Sequence, residues 1–144
     1  MKPAYTSTRH DPNVEQWGDC CRAAVATVLE MDPATVPHFF DKGVSGEEGR
    51  KLVRDFLKEH GYSLAEFAFT APPDEVREHM EHQCEDTVYF LIGGGSYGRS
   101  DHVVVCRGGE IVHDPSPGGG GVTRPCAETG ITWLWLIVPR RYGQ

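Results

Sequence analysis

The chain has 144 residues, a length that suits one domain with a single core. Hydrophobic residues at 39% and charged residues at 24% exclude a disordered chain and describe an ordinary globular one. The formal net charge of −7 argues against a nucleic-acid partner, which wants a Lys and Arg surplus on some face.

Lys2 to Asp19 is rich in Pro, Thr, Asp and Asn and reads as an extended arm on the surface. A helix begins near Asp19. Ala23, Ala24, Val25, Ala26, Val28 and Leu29 give it small or apolar groups around most of its circumference, so it is buried rather than laid on the surface. Asp32-Pro33 ends it, and Val36-Pro37-His38-Phe39-Phe40 follows as an irregular hydrophobic loop. Ser45 is the expected N-cap of a second helix, with Glu48 as its capping-box partner. Leu52, Val53, Phe56 and Leu57 recur there at helical spacing, and Gly61 supplies the stop.

Tyr62 to Phe69 reads as a strand, and Pro72-Pro73-Asp74 opens a polar third helix through about His82. From Thr87 the texture changes to strands. Val88 to Ile92 is one, followed by Gly93 to Gly98 as a flexible loop. His102 to Cys106 and Ile111 to Asp114 form a hairpin, and Pro115 to Gly121, with four consecutive glycines, reads as a mobile loop. Ile131 to Val138 is the last strand. Helices first and antiparallel strands afterwards predict an α+β class: one domain over residues 1–144, with the apolar first helix packed on a C-terminal sheet.

No apolar run approaches the roughly 18 residues of a spanning helix, so no membrane partner is expected. Met1-Lys2-Pro3-Ala4-Tyr5 lacks the apolar stretch of a signal peptide, which predicts a cytoplasmic location. The five cysteines (Cys20, Cys21, Cys84, Cys106 and Cys126) are an odd number without secretory context, which disfavours a disulfide framework. Neither a CxxC nor an HxxxH pair is present to suggest a metal site. The glycine-rich segments lack the Lys-Ser/Thr of a phosphate loop, so no cofactor is expected.

The chemistry starts at Gly18-Asp19-Cys20-Cys21-Arg22-Ala23-Ala24. A cysteine in the first turn of a buried helix sits where unpaired N–H groups and the helix dipole favour negative charge, and the thiolate is the reactive form. Read alone, Cys20 is also a small buried hydrophobe, as most free cysteines are. Ser100-Asp101-His102-Val103 places a histidine at a strand edge. If Arg107-Gly108-Gly109 is a three-residue hairpin loop, Cys106 faces Glu110, and His102 then lies opposite Asp114 on one sheet face. A two-residue Gly108-Gly109 turn instead puts them on opposite faces. With the longer turn, Asp114 holds one imidazole nitrogen while the other faces Cys20: nucleophile, base and orienter. His113 then points to the other face and is structural. His79 and His82 read as a solvated helix face.

The runs Gly18-Asp19-Cys20, Arg22-Ala23-Ala24 and Val36-Pro37-His38-Phe39, then Asp101-His102-Val103-Val104 and Val112-His113-Asp114-Pro115, resemble a group of small phage and bacterial proteins. Those in turn resemble the papain-like peptidase domains that remove leader peptides from bacteriocins. The resemblance spans roughly residues 1–135. It implies a papain-like fold, a triad carried onto Cys20, His102 and Asp114, and Cys20 rather than Cys21 as nucleophile. It also implies a peptide or protein substrate. The family's oxyanion glutamine stands about six residues before its cysteine. Val14 occupies that spacing here, and Gln16, four residues before Cys20, is the candidate donor, with the stretch Tyr5 to Thr8 as another source if the arm folds back. The Cys20 backbone N–H supplies the second contact. Trp17 either lines the cleft or covers the helix end.

The expectation is therefore a papain-like cysteine hydrolase, a peptidase or isopeptidase working through a thioester. An acyl transferase of transglutaminase or amidase type uses the same three residues. A catalytically silent binding module of the same shape is the third reading.

Overall fold

The computed structural model describes residues 1–7, 19–95, 101–116 and 119–140. Ala23, Ala24, Val25 and Ala26 are fully buried, so the first helix, α1 (Cys20–Leu29), presses its small side chains into the core. It stops at Leu29, short of Asp32-Pro33. Glu30 takes a left-handed conformation with φ 55°, and its N–H reaches the carbonyls of Ala26 and Thr27. Pro33 opens a short 3-10 turn, Pro33–Thr35, whose first free amide is capped by Asp32.

Helix α2 (Gly46–Glu59) begins as the capping pattern predicts: the Ser45 hydroxyl accepts from Glu48 N at 3.1 Å. It stops before Gly61, whose φ of +86° only glycine adopts without strain. Strand β1 (Tyr62–Phe69) and helix α3 (Pro73–Gln83) follow. The rest is sheet: β2 (Val88–Gly95), β3 (Asp101–Arg107), β4 (Glu110–His113), β5 (Val122–Arg124) and β6 (Thr132–Pro139). The chain is α+β, with three α-helices among the described residues and a six-stranded antiparallel sheet. Five of its strands run in the order β1-β6-β2-β3-β4, and β5 pairs with β2. None of these helices is long and apolar enough to cross a membrane.

Both faces of the central strands are covered. Phe90, Ile92, Val103, Val105 and Trp135 pack toward α1 and α2, against Val25, Val53, Phe56 and Leu57. Tyr89, Leu91, Val104, Cys106 and Leu134 pack toward Val76 and Met80 of α3. This two-sided burial explains why β2 and β3 read as continuous apolar runs and not as alternating ones.

The glycine run after Ile92 is the main departure from expectation. Gly93, Gly94 and Gly95 belong to β2, not to a loop; the rest of the expected loop, through Gly98, lies outside the described residues. Gly93 faces His102 and Gly94 faces Asp101, while on the other side Gly94 faces Arg124 of β5, a strand the sequence reading lacked. A Cβ at Gly93 would stand 2.5 Å from the Arg124 carbonyl oxygen, and backbone cannot swing aside as a side-chain tip can. Gly93→Ala is therefore expected to cost about 1–3 kcal/mol of folding stability, by the overpacking mechanism. A urea midpoint equal to that of the parent protein would remove this account of the glycines.

Candidate active site

Cys20 is the first residue of α1 and half-buried, whereas Cys21 beside it is buried at 4% exposure. The preceding Asp19 does not cap the helix. Its carboxylate is committed elsewhere: it accepts from Ser7 N at 3.0 Å and from the Ser7 hydroxyl at 2.7 Å, and Arg22 stands 3.5 Å away. Burial, and then the neighbouring Cys20, push the Cys21 thiol well above its ordinary range. Burial likewise pushes Cys106 and Cys126 up to about 12. All five cysteines are free. The fold thus makes three of them poor nucleophiles and leaves Cys20 at a helix N-terminus.

Asp114 reaches His102 by a different route from the one the spacing suggests. The β3–β4 turn has two residues, not three: Arg107 faces Glu110 and Cys106 faces Ile111 across Gly108-Gly109. Only Gly108 of the pair takes positive φ, at 56°, as a II′ turn requires of its first central residue. Helix α3 and β2 grip this turn. Tyr89 donates to Gly108 O at 2.6 Å, Gly109 N donates to Glu81 at 2.7 Å, and Arg77 donates to Gly109 O at 3.0 Å.

Left to run, that register would put Asp114 beside Val103, on the face away from His102. A β-bulge intervenes, so that Val105 faces His113 and Val112 becomes the extra residue. Counting on, Asp114, the residue just past β4, falls at the level of Val104, with the same parity as His102. The two are therefore diagonal rather than directly opposite, close enough for side chains to meet. His102 Nε2 donates to Asp114 Oδ1 at 2.6 Å.

Three further features fix this pair. Asp114 Oδ1 also accepts from Ser116 N at 3.0 Å, and its Oδ2 accepts from Gly121 N at 3.0 Å. The described part of the segment expected to be a mobile loop thus wraps the carboxylate. The Ser116 contact is an Asx-type turn, which the sequence Asp114-Pro115-Ser116 could have signalled. Behind the ring, a Cβ at Gly95 would come within 2.8 Å of His102 Cβ, so glycine there gives the histidine its room.

Cys20 neighbours the same imidazole closely enough to raise it. With Nε2 given to Asp114, Nδ1 is the nitrogen left for the sulfur. Burial works against a positive ring at His102. The hydrogen bond to Asp114 and the neighbouring Cys20 outweigh it and raise the ring from 6.5 to about 9. Asp114 shows the complement: burial raises it, but His102 and the Ser116 and Gly121 amides together hold it below the usual carboxylate range. The fold thus gathers Cys20, His102 and Asp114, the three residues singled out from the sequence.

The others separate. His113 donates from Nε2 to Ala4 O at 2.6 Å and meets Tyr5 edge-on at 4.9 Å, the structural role expected of it. Gln16 and Trp17 lie outside the described residues. The arm does fold back, but the Ser7 hydroxyl is spent on Asp19 and not on the thiol. Among the described residues, no group of three or more His, Cys, Asp or Glu side chains could hold a metal ion. No family model, no curated protein and no solved structure matches the chain.

Proposed function

We propose that the chain is a papain-like cysteine hydrolase that cleaves a peptide or isopeptide bond through a thioester on Cys20. The observation that carries this reading is the neighbourhood of Cys20, His102 and Asp114: a thiol at a helix N-terminus, an imidazole at a strand head hydrogen-bonded to the carboxylate, and that carboxylate held by two amides. A buried helix bearing the cysteine and an antiparallel sheet bearing the histidine is also the division of labour of the papain-like fold.

In this reading the Cys20 sulfur attacks the substrate carbonyl carbon and an S–C bond forms. The carbonyl oxygen takes the charge. The Cys20 amide faces it, one of the first N–H groups of α1, for which the helix itself supplies no acceptor. Gln16 is the proposed second donor. The protonated His102 gives its proton to the leaving nitrogen as the C–N bond breaks, which leaves an acyl-thioester and a neutral ring. His102 then takes a proton from water, which attacks the thioester and releases the acid and the thiolate. Asp114 keeps Nε2 protonated throughout, so that Nδ1 is the nitrogen that handles each proton.

Incubation with p-nitrophenyl acetate tests the reading. Intact-mass and peptide mapping are expected to show a hydroxylamine-sensitive acetyl group on Cys20 that decays with time, and none in Cys20→Ala. Faster decay on adding a primary amine, with amide formed, would move the reaction from hydrolysis to acyl transfer. No adduct, or an adduct on another cysteine, would sink the proposal.

A further inference from the structure

The first seven residues make more site contacts than an idle arm should. They run between α1 and the β4 end of the sheet and bond to both. Ala4 N donates to the Thr27 hydroxyl of α1 at 2.8 Å, while Ala4 O accepts from His113 of β4 at 2.6 Å. Thr6 N donates to Pro115 O at 2.9 Å, one residue after Asp114. Ser7 gives both its N–H and its hydroxyl to Asp19, one residue before Cys20. Asp19 is 2% exposed, and Arg22 is its neighbour at 3.5 Å.

Cys20 and Asp114 belong to different layers, and their relative position is what lets His102 serve both. The sheet fixes His102 and Asp114 to each other, while Cys20 is carried by the helix packed on it. Consecutive residues Thr6 and Ser7 close that gap, one bonded to each side. We propose that this arm is a positioning element which, through Thr6 on Pro115 and Ser7 on Asp19, sets the seat of Cys20 against the His102–Asp114 pair. Asp19 and Ser7 are positioning residues here, acting through the backbone that carries the thiol. The inference rests on the thiol–imidazole reading of the site.

The test uses the full chain and the rate of Cys20 carboxamidomethylation by iodoacetamide, followed by peptide mapping at about pH 6 and about pH 10. Ser7→Ala removes the hydroxyl contact, Thr6→Pro removes the N–H given to Pro115, and Ser7→Thr restores a hydroxyl. Ser7→Ala and Thr6→Pro are each expected to slow alkylation at the lower pH by on the order of tenfold, the scale of a small misplacement of reacting groups. At the higher pH, where any thiol ionises, their rates should equal the parent's, and Ser7→Thr should match the parent at both. Loss of packing alone would not produce that pH-dependent split or the rescue.

His102→Ala is run beside them. If it leaves the parent rate unchanged, the thiol–imidazole reading itself fails. If it slows the reaction while Ser7→Ala and Thr6→Pro do not, the reading stands and the arm proposal is overturned. Ser7 is exposed, so its variants are expected to keep the parent's circular dichroism spectrum.

Discussion

Alanine at His102 is expected to slow alkylation of Cys20 by iodoacetamide at pH 7 by ten- to about thirtyfold, and to leave the rate near pH 10 unchanged. The bound comes from the thiolate fraction. An ordinary thiol is only a few per cent ionised at pH 7, so a neighbouring cation can raise the reactive fraction by no more than about thirtyfold. His102 is such a cation: its ring, raised to about 9 in spite of burial, is charged at neutral pH and neighbours Cys20. The adjacent cysteine is the internal control. Cys21→Ala should leave the labelling rate alone and cost about 1 kcal/mol in packing, because its side chain is core. Cys20→Ala should abolish both labelling and any acyl adduct. Equal rates for His102→Ala and the parent at pH 7, or labelling that follows Cys21, would end the assignment.

Much of the helical half was legible because its signals are local. Ser45 and Gly61 mark the ends of α2 by backbone chemistry that needs no distant partner. The alanine-rich circumference of α1 likewise announces burial. The strands were legible as elements but not in their register. A two-residue turn and a bulge each shift facing by one residue, so together they give the same parity as one three-residue turn. The sequence Arg107-Gly108-Gly109-Glu110 accommodates either turn. His102 and Asp114 could therefore be paired for a mistaken reason, two departures cancelling.

What stayed hidden is tertiary. Gly93 to Gly95 look like loop punctuation because glycine weakens a strand, yet each lies close against a neighbour: the Arg124 backbone, the Arg124 side chain and His102 Cβ. The three residues of β5 are too few to show any period. The arm bonds mostly through backbone atoms, which carry no residue signature. The side chains that take part, Ser7 of the arm and Asp19, Thr27 and His113 opposite it, each read locally as ordinary polar residues.

Asp114→Asn gives the second large effect, and its pH dependence identifies the cause. In wild type the His102 ring, followed by NMR of its carbon-bound protons, should titrate near 9 against 6.5 for a free ring. Burial is the strongest single influence on that ring and acts downward. Asparagine keeps an oxygen to accept from Nε2 but removes the charge, so burial gains the upper hand. The midpoint is expected to fall by one unit or more, by about the amount an opposing charge ordinarily supplies. Stability must follow. A histidine raised by its partner stabilises the fold fully below the unfolded value of 6.5, and loses that contribution as pH rises through about 9. A depressed aspartate contributes above its unfolded range, and loses the contribution as pH falls through its lowered folded value. The two shifts are one interaction, counted once, with a ceiling of about 3 kcal/mol for the His102 shift. The variant's deficit in urea unfolding should thus be largest around pH 5 to 6.5 and shrink by pH 9.5. It should not vanish there, because the Gly121 amide still loses its charged acceptor. An equal deficit at pH 6 and pH 9.5, or an unmoved ring titration, would show that Asp114 braces the loop without tuning the histidine.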